Sequence, residues 1–97
     1  MFSGEKDPGA DLDFSIDWSS WLASGETIAT STWALQSGSG LTKHAEGLDS
    51  TSKIATVWLA AGNPSNGNPW TVTNTIVTTN SPARTNVRTL LLTVRNL

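Results

Sequence analysis

The stretch from Pro69 to Val94 restricts the possible folds of this chain more than any other. It reads PWTVTNTIVTT, then NSPAR, then TNVRTLLLTV. Trp70, Val72 and Ile76 share one parity in the first run, and Leu90, Leu92 and Val94 share one in the second. A period of two, with β-branched residues filling the alternate positions, is the pattern of a half-buried antiparallel strand; a helix would repeat its apolar positions every three to four residues. Asn80-Ser81-Pro82-Ala83 supplies the turn chemistry between the runs. The pattern predicts a β-hairpin, the last of a sandwich whose facing sheet comes from the rest of the chain.

The earlier segments fit that expectation. Residues 1–10 are polar and contain the turn signal Asp7-Pro8-Gly9, so they are read as an extended N-terminal arm ahead of a single domain over 11–97. Leu12, Phe14, Ile16 and Trp18 alternate with Asp11, Asp13, Ser15 and Asp17, which predicts a strand. Its row of outward acids and a hydroxyl suits a sheet edge. Trp21 and Leu22 are expected to make one helical turn that plugs an end of the sandwich. Glu26–Leu35 reads as a strand in which Ile28 and Trp33 have opposite parity, so a bulge near Thr30–Thr32 is expected. Leu41–His44 reads as a short strand near an edge, followed by a polar loop over Ala45–Ser52. In Lys53–Ala61, Ala55, Val57 and Leu59 make one face and Ile54 and Trp58 the other, so both faces are apolar. Trp58 is therefore expected either beneath the N-terminal arm or against another subunit. Residues 62–69 are turn formers throughout. The sum is an all-β, immunoglobulin-like antiparallel β-sandwich of six to seven strands, with a small barrel as the runner-up.

Composition narrows the function more than it names it. The chain has 97 residues, enough for one domain with one core. It has no cysteine, which excludes disulfides, thiolate metal sites and cysteine nucleophiles. Five tryptophans are the main means of filling the interior, at about 150–250 Å² each when buried. Six scattered basic residues and a net charge of −2 make no phosphate-binding stripe, so no nucleic-acid partner is expected. No apolar run is long enough for a membrane-spanning helix. The opening Met1–Asp7 lacks a basic end followed by an apolar stretch, so synthesis in a cytoplasm is expected.

Chemistry-bearing residues are sparse. His44 is the lone histidine, and no motif brings it to both an acid and a nucleophile. Asp11, Asp13 and Asp17 lie on one strand face, about 7 Å or more apart, which suits no single calcium ion. The glycine-rich segments at 37–40 and 62–67 carry no phosphate-binding spacing. No catalytic, cofactor-binding or metal-binding residue is assigned.

The segments KDPGADLDFSIDWSSWLASGETIATSTW, TVWLAAGNP and WTVTNTIVTTNSPARTNVRTLLLTV together cover about residues 6–95. They resemble short structural proteins of tailed bacteriophages, of the fiber–tail adaptor or head–tail neck type. The resemblance implies a β-sandwich located in the virion, made in the host cytoplasm, with no catalysis and no cofactor. Its implied partners are other virion proteins (portal, neck, tail or fiber), met by several copies in a homo-oligomeric ring. Two positions depart from the pattern. Trp70 stands where similar sequences carry Tyr, so the corner hydrogen bond a tyrosine would make there must change. Leu91 stands where Thr is expected, on the outward parity of the last strand. Trp58, Leu91, Trp21 and Phe2 are the candidate protein-interface residues. Two rival readings remain open: a capsid decoration protein, and a carbohydrate-binding module that uses exposed tryptophan.

Overall fold

A computed structural model of the chain describes residues 2–64 and 68–95, with side chains described from Gly4 onward. Seven strands follow one another: β1 (Phe2–Lys6), β2 (Leu12–Asp17), β3 (Ile28–Leu35), β4 (Leu41–Leu48), β5 (Ile54–Ala61), β6 (Trp70–Thr78) and β7 (Thr85–Val94). They form a four-stranded sheet in the order β1-β7-β6-β3 and a three-stranded sheet in the order β2-β5-β4. The two sheets face each other as a sandwich, and their edges do not join into a barrel. All pairings are antiparallel except that of β1 with β7, which is parallel. This order is compatible with the immunoglobulin-like arrangement. Among the described residues there is no helix.

Alternation decides which residues fill the space between the sheets. Ile16, Ala55, Val57 and Leu59 come from the three-stranded sheet. Ile28, Trp33, Val72, Ile76, Leu90, Leu92 and Val94 come from the four-stranded one. Each buried Val, Leu or Ile contributes about 1.5–3 kcal/mol by leaving water, so this layer is the main source of stability. Trp18 lies just past the end of β2 and is completely buried. Trp70 is half-buried against the same core.

The hairpin β6–β7 pairs from Trp70↔Leu92 to Val77↔Thr85. Its turn is closed by Thr78 and Arg84, with the Thr78 amide donating to the Arg84 carbonyl at 2.9 Å and the Arg84 amide to the Thr78 hydroxyl at 2.9 Å. β2 is an edge strand with its acids outward, as its sequence predicts. The stretch read as an arm carries β1, whose residues Phe2–Lys6 pair with Leu90–Val94.

Two expectations are adjusted. The irregularity in β3 falls between Ile28 and Thr30, so Ala29 is the extra residue rather than one of Thr30–Thr32. Trp21 and Leu22 form the expected single turn, both amides donating to the Trp18 carbonyl at 2.9 and 3.0 Å, and both side chains pack against the core. The polar loop expected over Ala45–Ser52 begins later, because β4 runs on to Leu48. β4 hides no alternation for a sequence to display: most of its residues are exposed, and a second irregularity sits between Lys43 and Ala45. The 62–69 loop lies partly outside the described residues, but its first part is fixed. Asn63 receives the Trp70 indole N–H on its carbonyl at 2.9 Å. Tryptophan thus fills the corner position by donating from nitrogen, which is the change its lack of a hydroxyl demands.

Candidate interaction surfaces

Three regions hold side chains that the core does not consume: one end of the sandwich and its two outer faces.

At the end, Trp18 and Trp21 meet edge to face, ring centroids 5.7 Å apart. Their contact follows from the tight turn after β2. The Trp18 indole donates to Asn74 Oδ1 at 2.9 Å, and Asn74 in turn donates to the Ser31 hydroxyl at 2.9 Å and the Thr32 carbonyl at 3.2 Å. Asn74 is fully buried, so this small network joins the β2 turn, β3 and β6 from within the core and leaves the Asn74 side chain satisfied. Trp33, by contrast, keeps its buried indole nitrogen without a hydrogen-bond partner among the described residues. The second feature of this end is Glu26, which is 1% exposed. It receives Arg84 Nε at 3.0 Å on one oxygen and Arg84 Nη2 on the other, along with the Ala23 amide at 2.9 Å. The same guanidinium lies 4.1 Å from the Trp21 ring centroid. Bonding to Arg84 holds the Glu26 carboxyl down to about 2, against the desolvation that would raise it, and in turn raises the Arg84 pKa. Arg88 stands 4.3 Å over the Trp18 ring. Sequence spacing gave no sign of the Glu26–Arg84 pair, whose members are 58 positions apart.

The outer face of the four-stranded sheet carries Thr30, Thr32 and Ala34 from β3, and Thr71, Thr73, Thr75 and Val77 from β6. β7 adds Thr85, Val87, Thr89, Leu91 and Thr93. These three strands put no charged side chain on this face. Val87 is 50% exposed, whereas Leu91 is half-buried, seated between Ser3 of β1 and Thr71 of β6.

The outer face of the three-stranded sheet is different. β2 contributes Asp13, Ser15 and Asp17, with Asp11 just ahead of it, and β5 contributes Ile54, Thr56, Trp58 and Ala60. Trp58 is 41% exposed. β1 belongs to the opposite sheet, so the N-terminal segment does not cover this indole. His44, displaced at the β4 irregularity, stacks beside Trp58 with centroids 6.3 Å apart, and its Nδ1 lies 3.1 Å from Asp11 Oδ2. Ser15 and Thr56 share a hydroxyl hydrogen bond of 2.8 Å. Asp17 accepts the Ser19 amide at 2.9 Å, and its pKa is lowered by bonding to Ser19. Asp13 stands directly opposite Trp58 in the ladder and has no hydrogen-bond or ion-pair partner among the described residues.

The four candidate interface residues therefore do not converge. Trp58 and Leu91 occupy opposite faces, and Trp21 belongs to the closed end, where Arg84 covers its ring. Phe2 pairs through its backbone with Leu90, while its side chain lies outside the described residues. His44 is paired with Asp11, and among the described residues no hydroxyl is hydrogen-bonded to its ring. Among the described residues no three His, Cys, Asp or Glu side chains converge on a common metal position.

Two polar groups take structural roles that their sequence positions do not show. Lys6 is completely buried on the inward side of β1. Its Nζ donates to the carbonyls of Asp7 at 2.9 Å and Ala61 at 2.5 Å, and burial lowers its pKa. Asp49 receives the Thr51 hydroxyl and the amides of Lys53 and Ile54 at 2.9 and 3.0 Å, which hold its carboxyl well below the ordinary range. Both are structural: Lys6 ties β1 to the end of β5, and Asp49 shapes the β4–β5 turn.

Comparison with known protein families places residues 6–93 within a family described as podophage GP4 fiber-tail adaptor protein gp77. No curated protein matches the chain with significant similarity.

Proposed function

Because the chain belongs to the podophage GP4 fiber-tail adaptor family, we propose that it is a non-enzymatic bridge between the neck or tail and fiber, or other neighbouring virion proteins. The family match over nearly the whole chain carries this reading, and it implies a place in the virion. The geometry supports it in kind. The interior closes on its own, yet a large aromatic stays outside on one face, and a threonine-rich face, without charge across β3, β6 and β7, lies on the other. Two outward faces of unlike chemistry suit a part that touches two different neighbours. Several copies around a symmetric ring would add weak contacts through effective concentration. Residues 1–10 serve here as an arm that secures the seam beside β7, ahead of the sandwich over 11–97.

Trp58→Ser and Leu91→Ser, made separately in the phage, test the bridge. Loss of appendages from otherwise filled particles is expected for Trp58→Ser, with a smaller loss for the half-buried Leu91. Particles that assemble and keep their appendages normally with both changes would overturn the proposed contacts. Copy number per particle separates an adaptor ring, with about a dozen copies or fewer, from a decoration protein present in hundreds.

A further inference from the structure

The closed end of the molecule contains a worked example of how this chain handles a tryptophan beside a carboxylate. Arg84 lies 4.1 Å from the Trp21 ring centroid while its guanidinium grips both oxygens of Glu26. A guanidinium suits that task because it is flat enough to stack on an indole and forked enough to pair with a carboxylate at once. The outer face of the β2-β5-β4 sheet repeats two of the three parts. Trp58 is 41% exposed, and Asp13 is its direct partner across the antiparallel pair. Facing side chains at such positions have Cβ atoms about 4.5–5.5 Å apart. No guanidinium fills the third part: His44 stacks beside Trp58 but pairs with Asp11, not with Asp13. Asp11 is occupied by His44 and Asp17 by the Ser19 amide, but Asp13 has no partner among the described residues.

The chain's own arginines are committed elsewhere. Arg84 holds Glu26, Arg88 lies over Trp18, and Arg95 pairs with Glu5 at 2.9 Å. A second copy would have to give up one of these contacts to supply the guanidinium. The charge of the face also selects its occupant: Asp13 and Asp17 of β2, with Asp11 just ahead of it, stand beside the Trp58 and His44 rings, and the chain as a whole carries −2.

We infer that this face receives an arginine from an extended basic segment of a different protein, its guanidinium stacked on Trp58 and paired with Asp13. The inference rests on the adaptor reading only for the source of that segment, a neighbouring virion protein. Lysine fits less well, because a compact ammonium cannot stack and fork together. The segment runs along the face of the sheet and not along its edge.

The test uses the full chain, nitrogen-15 labelled, titrated with the pentapeptide Thr-Val-Arg-Val-Thr and with twins carrying lysine or citrulline at the centre. The readout is the indole N–H resonance of Trp58, identified by its disappearance in Trp58→Phe. A saturable shift is expected with the arginine peptide, about fivefold or more tighter than with lysine or citrulline, and weaker as salt is added. Asp13→Asn should erase the preference for arginine over citrulline while leaving the other four indole resonances in place. Equal binding of arginine and citrulline peptides, no shift at millimolar peptide, a shift confined to Trp21, or self-association that Asp13→Asn abolishes would each overturn the inference. If Trp58→Ser strips appendages from particles while the peptides bind alike, the adaptor reading stands and the arginine site falls. If the arginine peptide binds as expected while such particles are normal, the site stands and its use in the bridge falls.

Discussion

Trp21 and Trp58 both leave the core close to acidic side chains, yet one has become structure and the other surface. Around Trp21 the chain supplies every partner: Trp18 at the ring edge, Arg84 over the face, and Glu26 to hold the arginine. Around Trp58 it supplies His44 on one side and an unpaired Asp13 on the other. Topology explains the difference. Trp21 sits in the connection where the chain crosses from one sheet to the other, and the β6–β7 turn brings Arg84 to it. Trp58 sits in the middle of β5, where only β2 and β4 are within reach, and neither carries an arginine. The same residue type is therefore enclosed by partners at one place and exposed at the other, and substitutions should separate the two situations.

Glu26→Gln should have the largest effect on folding. It removes a charge from a fully buried side chain and leaves Arg84 without its anion, so a fall in the thermal midpoint of ~10 °C or more is expected by calorimetry. If the midpoint barely moves, the closed end is not what sets Trp21 apart from Trp58.

Acid should act on the same pair. The Glu26 carboxyl titrates at about 2 in the folded chain against 4.5 in the reference state. A carboxyl with a depressed folded value stabilises fully above the higher of the two and loses that contribution as pH falls toward the lower. Asp49 and Asp17, also lowered, act in the same direction. Stability should therefore decline as pH drops from about 4.5 toward 2, and Glu26→Gln should decline less steeply than wild type across that interval. Parallel pH profiles for the two proteins would contradict the assignment.

Asn74→Leu comes next. It keeps roughly the side-chain volume but leaves the Trp18 indole N–H buried without an acceptor, at a cost of about 1–3 kcal/mol. Denaturant unfolding should show a lower midpoint with an unchanged slope. No change would mean that Trp18, and with it the platform under Trp21, is held by packing alone.

How much of this was legible in the sequence depends on whether the signal is local. The alternation of Leu12 to Trp18 and of Trp70 to Ile76 is a property of neighbouring residues, so strands, faces and the edge position of β2 could be read directly. β4 could not, since an edge strand exposed along most of its length has no apolar period to display. Asn74 occupies an inward position between Val72 and Ile76, and that mismatch was a visible but unused sign of a buried polar network. Lys6 and the Glu26–Arg84 pair gave no local sign, because their partners are set by sheet order. Trp58 was legible as an outward residue from the doubly apolar pattern of β5. That Asp13 stands opposite it was not, because one sequence carries no strand register.

Trp58→Ser should have the smallest effect on folding, and that smallness is what makes it useful. An exposed side chain outside the core network normally shifts stability by no more than about 0.5 kcal/mol when replaced. The indole's contact with His44 is between two exposed groups, and no hydrogen bond of the Trp58 indole anchors it among the described residues. Calorimetry of Trp58→Ser should thus overlay that of wild type, while Trp21→Ser, made alongside, should lower the midpoint by removing the seat of Arg84 and the edge contact to Trp18. A matching loss in both variants would show that Trp58 is needed by the sandwich itself. Its exposure would then be a by-product of packing, and appendage defects in particles carrying Trp58→Ser would report misfolding rather than a lost contact.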